Sequence, residues 1–218
     1  MAFHSAAGSV QAETDTKTLG PRILLARAYG AYIAATRLAL SGQTLESYMA
    51  IRATIEIAWY ALHMFADPDP PNRFMIWMGR HGDAAAKSRC QTEFQIENVR
   101  RTHATVDPAA EQILGGLYGE TIDLGAHPNP RGVWGTVRHE ETVDALTFEV
   151  DVFNADHERV ASALSRVVGS AIGALATFYW IFPKQFGAAS LPREISHLIR
   201  DNNAVVRAWP DQAASAER

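Results

Sequence analysis

The sequence has little cysteine, and this excludes several classes of protein. Only Cys90 occurs among its 218 residues. A single thiol cannot form an internal disulfide framework, and it cannot supply the cysteine ligands of a zinc or iron–sulfur site. We therefore expect a cytoplasmic chain, folded in a reducing compartment, that holds no metal and no cofactor.

Targeting signals and long apolar runs are also scarce. The first 20 residues are rich in Ala, Ser, Thr and Gly and lack the apolar stretch of a secretory signal. The longest apolar run, residues 167–182, is shorter than the roughly 20 residues that span a bilayer. We interpret this run as a buried helix and expect no association with a membrane.

The chain has no excess of positive charge and no familiar catalytic motif. Its formal net charge of −4 argues against a protein that coats nucleic acid. The sequence contains no phosphate-binding glycine loop, zinc-protease helix, nucleophile elbow or calcium loop. Residues 139–141, His-Glu-Glu, are interpreted as a solvated turn rather than a metal site. No enzymatic activity can be assigned on this basis.

Helical periodicity dominates what is present. Helices are predicted over residues 22–40, 44–66, 73–80, 84–105, 107 to about 124, about 156–182 and 191–202. The alternation at 146–152 predicts one half-buried strand paired with residues 133–137. The predicted fold is mainly α: a bundle of five to seven helices with one β-hairpin insertion. We expect one helical domain over residues 20–204, a disordered N-terminal tail over 1–19 and a frayed C-terminal tail over 205–218.

The second predicted helix carries the pair of charges at the centre of the candidate site. Two apolar stripes cover most of this helix, so it should lie at the centre of the bundle. One line of polar or amphipathic side chains remains: Tyr48, Arg52, Glu56, Trp59 and His63. Arg52 and Glu56 are one helical turn apart, and we expect them to pair in or beside the core.

A second polar group follows the fifth helix, where Pro128 should hold His127 in extended geometry. A histidine beside a buried ion pair can act in general acid–base catalysis. The candidate catalytic residues are His127, Arg52 and Glu56, and the candidate ligand-binding residues are Tyr118, Asp123, Asn129, Trp59 and His63. In the alternative, structural interpretation, Arg52 and Glu56 satisfy each other and residues 127–130 form a stiff turn.

Residues 73–103 have a local excess of positive charge. Arg73, Trp77, Arg80 and His81 are candidate RNA contacts, through phosphate charge and base stacking. A solvated helix with intrahelical ion pairs explains the same pattern. A homodimer is the other partner considered. Small residues such as Gly169 and Gly173, or the glycine-bearing face of the fifth helix, should mark its interface.

The segment Arg-Ala-Thr-Ile-Glu at 52–56, the basic helical stretch, and Leu117-Tyr118 leading to His127-Pro128-Asn129 resemble a group of uncharacterised bacterial helical proteins. Those are similar in turn to the HEPN superfamily (higher eukaryotes and prokaryotes nucleotide-binding). The resemblance spans residues 22–182. It implies a bacterial helical bundle, frequent dimers and, in active members, a metal-independent ribonuclease of the toxin or phage-defence type.

Active HEPN members share an Arg that is followed, after four to six intervening residues, by a His. No Arg and His of this chain have that spacing. Only Arg52 and His127, brought together by folding, could replace that motif. Two functions are therefore expected. The first is a non-enzymatic helical protein that binds a small ligand or partner near Arg52, Glu56 and His127. The second is a HEPN-like ribonuclease or its inactive relative.

Overall fold

The computed structural model describes residues 1–11, 14–126, 130–134, 136–141 and 145–208. The helices are α1 (Ala2–Ser9), α2 (Leu19–Leu40), α3 (Thr44–Phe65), α4 (Pro70–Met78), α5 (Ala84–Glu93), α6 (Ile96–Val106), α7 (Pro108–Thr121), α8 (Pro130–Trp134), α9 (His157–Ile181), α10 (Pro183–Ala188) and α11 (Leu191–Ala208). Strands β1 (Val137–Glu141) and β2 (Leu146–Val150) form one antiparallel hairpin. The predicted mainly α fold with a hairpin insertion is confirmed.

Helix α3 lies at the centre of the bundle, between α2 and α9. Its side chains Ile51, Ile55 and Trp59 are fully buried. A helix that is apolar on most sides gains hydrophobic free energy only when neighbours cover those sides. The two apolar stripes seen in the sequence therefore account for its central position.

The turn between α2 and α3 also fixes the chain that leaves the hairpin. Gly42 has a φ of +81°, and its carbonyl oxygen accepts a 2.7 Å hydrogen bond from the backbone N–H of Asn154. A Cβ atom at Gly42 would lie 2.6 Å from the Asn154 carbonyl oxygen. Glycine is therefore required here both for the left-handed backbone and for the close approach of the two chain segments.

The N-terminal residues differ from the disordered tail expected over 1–19. Residues Ala2–Ser9 form α1, and Phe3 is buried with its ring against Tyr29 and Tyr32 of α2, at centroid distances of 5.8 and 5.6 Å. Small residues let α1 lie close to its neighbours, and one aromatic ring supplies the anchor. At the other end α11 continues to Ala208, and residues 209–218 lie outside the described part.

The predicted helix over 84–105 is two helices in the structure, α5 and α6. They are separated at Phe94 and Gln95, and the Phe94 ring is buried 5.3 Å from Tyr60 and 5.4 Å from His63. The break turns the exposed helix α5 away and allows α6 to pack on α3. Burial of one aromatic side chain offsets the helical hydrogen bonds that are missing at the break.

The hairpin is less buried than its alternating pattern suggested. Each β2 residue pairs with one on β1, from Val137 opposite Val150 to Glu141 opposite Leu146, yet all five residues of β2 are exposed. Of the expected partner segment 133–137, Val133 and Trp134 end α8 and only Val137 belongs to β1, which continues to Glu141. Alternation indicates which side chains share a face, but it does not indicate whether anything covers that face.

Two described helical segments, Thr16–Leu40 and His157–Ile181, are long and apolar enough to cross a membrane by length and composition. In the structure α2 and α9 both pack against α3. Core helices of soluble proteins meet the same criterion of length and hydropathy.

Candidate functional site

Arg52, Glu56 and Tyr118 form one cluster between α3 and α7. The Arg52 Nε donates a 2.7 Å hydrogen bond to Glu56 Oε1, and the Tyr118 hydroxyl donates to the same oxygen over 2.9 Å. The Arg52 guanidinium carbon also lies 5.0 Å from the centre of the Tyr118 ring, within the range of a cation–π contact. The structure therefore brings together three of the predicted site residues.

Tyr118 acts as a hydrogen-bond donor in this cluster. Burial, with the hydrogen bond to the Glu56 carboxylate, raises the pKa of Tyr118 to about 12. The phenol therefore stays protonated at neutral pH and keeps its proton directed at Glu56. A residue in this state orients the carboxylate and does not serve as a base.

The ion pair lies at the rim of the core. The side chains of Arg52 and Glu56 are 25% and 29% exposed, and the pair connects positions one turn apart on the same helix. Water reaches both groups, so the large cost of an ion pair in a dry interior does not apply. The sequence predicted this ion pair either in the core or beside it, and the structure shows it beside the core.

Trp59 follows on the same helix but is fully buried. Its ring packs 5.2 Å from the Tyr118 ring, and its Nε1 donates a 3.0 Å hydrogen bond to Nδ1 of His103 on α6. The only polar atom of the indole is therefore engaged inside the core. A ligand could not contact Trp59 without opening the bundle, so its geometry favours a structural role.

His103 is a buried polar residue that the sequence analysis did not single out. Because Nδ1 accepts from Trp59, the ring proton is on Nε2, which lies 3.3 Å from the Thr177 hydroxyl of α9. That hydroxyl in turn donates to the Gly173 carbonyl over 2.9 Å. Burial lowers the pKa of His103, so it is neutral at pH 7. Its spacing of four from the buried Val99, on one face of α6, was the available sign of a core position.

The buried His63 belongs to a second polar network, with the half-buried Arg73 and Glu93. Its Nδ1 lies 2.7 Å from the Thr102 hydroxyl, and its Nε2 lies 3.3 Å from Glu93 Oε1, which also accepts a 2.8 Å bond from Arg73 Nε. Arg73 in addition pairs with Asp67 and donates to the His63 carbonyl oxygen. Burial, reinforced by the charge of Arg73, lowers the pKa of His63 against the opposing effect of Glu93. His63 and Arg73 together hold α3, α4 and α5 against one another.

The remaining basic residues of this region lie at the corner between α4 and α5. Arg80, His81 and Lys87 line an open hollow of about 390 Å³ together with Gly82. All three basic side chains are exposed, and no ion pair joins them to a carboxylate within the described part of the chain. We call this hollow the basic corner.

Trp77, the aromatic residue predicted beside these cations, is half-buried. Its ring is stacked on Phe74 at a centroid distance of 6.1 Å, and both rings pack against the hydrophobic core. Of the four candidate RNA contacts, only Arg80 and His81 therefore line the basic corner. Arg73 and Trp77 serve the packing between helices instead.

His127 and Asn129 lie outside the described residues. The segment that leads to them, Ile122–Ala126, is an irregular helical turn in which Asp123 is exposed. Gly125 lies against the Leu45 carbonyl oxygen of α3 so closely that any Cβ atom would collide with it. This contact fixes the segment against the first turn of α3.

The glycines of α9 face neighbours within the chain. A Cβ atom at Gly173 would overlap the Leu114 side chain of α7, which is itself buried, and Gly169 faces Leu117 and Asn202. Gly173 was predicted to mark a dimer interface, but its surface is occupied by Leu114 of the same chain. Close helix packing explains the glycine here without a second copy.

Among the described residues no group of three or more His, Cys, Asp or Glu side chains is arranged to hold a metal ion. No protein-family model matches the chain, and no solved structure matches it. The fold and the clusters define a mainly α bundle whose central polar groups bind one another and whose basic corner faces solvent.

Proposed function

We propose that this chain is a helical binding protein that takes a phosphate-bearing ligand, single-stranded RNA by preference, at the basic corner. The observation that carries the proposal is the convergence of Arg80, His81 and Lys87 on one open hollow with no carboxylate paired to them among the described residues. Cations without a carboxylate partner, on a chain of net charge −4, are suited to an anionic ligand.

The chemistry of the three side chains favours phosphate. An Arg guanidinium can bind two phosphate oxygens at once, and Lys87 supplies a mobile point charge. Single-stranded RNA offers consecutive phosphates without the rigid spacing of a duplex, and a hollow of this size accommodates one or two of them. RNA is also the ligand class that the resemblance to the HEPN superfamily implies.

The test is a titration of fluorescent single-stranded RNA at several salt concentrations. The variant Arg80→Gln/Lys87→Gln should bind less tightly, and its salt dependence should fall by about 0.7 in logarithmic slope for each phosphate that the variant no longer binds. The control is Lys184→Gln/Arg193→Gln, which removes two exposed cations from α10 and α11. Absence of binding by the parent, or equal weakening in both variants, would reject the basic corner as the site.

A second candidate is a metal-independent ribonuclease that uses the cluster of Arg52, Glu56 and Tyr118. The supporting observation is that Ile122–Ala126 lies against the start of α3, the helix that carries Arg52. His127 would then act as the acid–base group, and Arg52, oriented by Glu56, would stabilise charge on the phosphate.

The assay for this candidate incubates structured and single-stranded RNA with the protein in excess chelator. His127→Ala should lower the cleavage rate by about 10²-fold or more, while the exposed His197→Ala should not. No cleavage by the parent, or equal cleavage by both variants, removes the ribonuclease. If Arg52→Gln then weakens binding of a ligand without any cleavage, the cluster serves the non-enzymatic binding role instead.

A further inference from the structure

The three basic side chains of the basic corner converge on one point. Arg80 and His81 are consecutive residues of the short 3₁₀ turn Gly79–His81. Lys87 lies where the first turn of α5 closes, since its backbone N–H donates to the Asp83 carbonyl oxygen over 3.0 Å. All three side chains line the same hollow of about 390 Å³. The hollow therefore offers three basic groups to one anion.

No row of positive charge leads away from the basic corner along the described helices α4 and α5. The exposed residues of α4 are all uncharged: Asn72, Met75 and Met78. On α5 the positions one turn beyond Lys87 are Cys90, which is buried, and Gln91, which is uncharged. Arg89 is exposed, but it lies two residues from Lys87 and about 200° around the helix, on the opposite side of α5. An RNA strand that continued along either helix would therefore meet no further exposed cation on the same face.

A carboxylate borders the basic corner on the side of α5. Asp83 follows Gly82 of the hollow, and its Oδ1 accepts a 2.8 Å hydrogen bond from the backbone N–H of Ala86. This bond holds the carboxylate at the start of α5. A second phosphate placed on this side would lie beside a negative charge, which repels it. The surroundings of the hollow therefore favour a single phosphate group over several consecutive ones.

Charge and the number of free oxygens distinguish two kinds of phosphate in RNA. A phosphate within the strand is a diester with one negative charge and two unsubstituted oxygens. A phosphate at the end of a strand is a monoester, with a charge of about −1.5 to −2 at neutral pH and three unsubstituted oxygens. The Arg80 guanidinium can bind two of these oxygens, and Lys87 or a ring N–H of His81 can bind the third. The basic side chains of the hollow therefore match a monoester more fully than a diester.

We propose that the basic corner binds a phosphate monoester, the terminal phosphate of a single-stranded RNA. This assignment rests on the proposed function and adds which part of the RNA the basic corner binds. Arg80, His81 and Lys87 hold the terminal phosphate, and the remaining nucleotides extend into solvent. A 5′-phosphate, a 3′-phosphate and the phosphate of a free nucleoside monophosphate share this chemistry, and the experiments below separate them.

The first test measures the affinity of the full chain for three single-stranded RNAs of one sequence that carry an internal fluorescent label. One RNA has a 5′-phosphate, one has a 3′-phosphate, and one has hydroxyl groups at both ends. The parent should bind at least one phosphorylated RNA about ten-fold or more tightly than the RNA with hydroxyl ends. The more tightly bound RNA identifies the end that is recognised. Equal affinity for all three RNAs would overturn the proposal.

Competition with small molecules measures whether the monoester itself is bound. Uridine monophosphate should displace the labelled RNA, and uridine, which lacks the phosphate, should not. Equal displacement by the two compounds would overturn the proposal. Tighter binding of a phosphoserine peptide than of the end-phosphorylated RNA would also overturn it, because the basic corner would then serve a phosphoprotein.

Variants of the basic corner locate the terminal phosphate. Arg80→Gln/Lys87→Gln should abolish the preference for the phosphorylated end. Arg80→Lys keeps the charge but cannot bind two oxygens at once, so it should lose part of the preference. The matched control is Arg89→Gln, which removes an exposed cation from the opposite side of α5 and should retain the full preference. A preference that survives in Arg80→Gln/Lys87→Gln would place the terminal phosphate elsewhere and reject the proposal.

Two outcomes separate the terminal phosphate from the proposed function. If the parent binds all three RNAs with one affinity, and Arg80→Gln/Lys87→Gln weakens all three alike, RNA binding at the basic corner stands and only the terminal phosphate is rejected. If the parent binds none of the three RNAs, the proposed function is rejected, and the terminal phosphate with it.

Discussion

The indole Nε1 of Trp59 and the imidazole Nδ1 of His103 are joined by a 3.0 Å hydrogen bond that is shut off from solvent. Trp59 lies on α3 and His103 on α6, and the second nitrogen of His103 faces Thr177 on α9. One neutral imidazole therefore links three helices through the centre of the bundle.

Replacement of Trp59 by Phe should destabilise the fold by about 2–4 kcal/mol. The change leaves His103 Nδ1 without a donor in the core and replaces a large ring by a smaller one. Urea denaturation measures the decrease. The control is Trp180→Phe, whose indole donates to Asp107 at 3.2 Å but is 48% exposed, and which should cost no more than about 0.5 kcal/mol. Equal decreases in both variants would contradict a structural role for this bond.

Two buried histidines should make the protein sensitive to mild acid. Burial lowers the pKa of both His63 and His103 from the ordinary value of 6.5. The unfolded chain then binds protons more readily than the folded one. The free energy of unfolding therefore has its full value above about pH 6.5. It should fall as the pH drops below that value, by up to about 1.4 kcal/mol per pH unit for each histidine.

Urea midpoints measured between about pH 7.5 and pH 5 test this dependence. His103→Gln should flatten the acid limb of the profile, because one of the two titrating groups is gone, although its overall stability will also be lower. The exposed His157→Gln should leave the shape of the profile unchanged. A profile of the parent that is flat over this range would show that neither histidine is held neutral by the fold.

The Glu56→Ala substitution should cost about 1–2 kcal/mol, less than the several kcal/mol expected for a pair in a dry core. Glu56 is 29% exposed, and its removal leaves Arg52 partly solvated but deprives the Tyr118 hydroxyl of its acceptor. Thermal or urea unfolding should show a larger loss of stability for Glu56→Ala than for Glu97→Ala. Glu97 is exposed on α6, and its replacement is expected to be nearly neutral. A result for Glu56→Ala within error of Glu97→Ala would mean that the cluster adds nothing to stability.

Gly173 should be intolerant of any side chain. Gly173→Ala forces a Cβ atom into buried Leu114 and should cost about 1–3 kcal/mol, and Gly173→Leu should unfold the protein before it can report on assembly. Gly116 on α7 meets nothing within 4 Å, so Gly116→Ala should instead stabilise by about 0.5–1 kcal/mol. Changes of opposite sign in the free energy of unfolding for Gly173→Ala and Gly116→Ala would confirm the packing of α7 on α9.

The elements that could be predicted are those whose signal is local. The apolar stripes of residues 44–66 and the proline-rich break after them define α3, found at Thr44–Phe65, to within a residue. The pairing of Arg52 with Glu56 follows from helical spacing alone. The α5–α6 break, by contrast, depends on burial of Phe94 among residues far away in sequence.

The polar networks depend on contacts that no local pattern contains. His103 meets a partner 44 residues earlier and another 74 residues later in the chain. Arg73 was assigned to RNA because residues 73–103 have a net positive charge, whereas in the fold Arg73 pairs with Asp67 and Glu93. The charge of the sequence segment therefore predicted a binding surface at Arg73, but in the fold ion pairs neutralise the charge of this residue. Arg80 and Lys87 retain that character because folding brings no carboxylate into a pair with them among the described residues.

The position of α1 has a consequence for how the protein is made. Its apolar side packs against α2, but also against α10 and α11, which are synthesised after nearly all other described elements. Until α11 has emerged from the ribosome, Phe3 and its neighbours lack part of their covering and present an apolar surface to the cell. The apolar side of α1 is therefore covered completely only after α10 and α11 have been synthesised, and it stays accessible to chaperones until then.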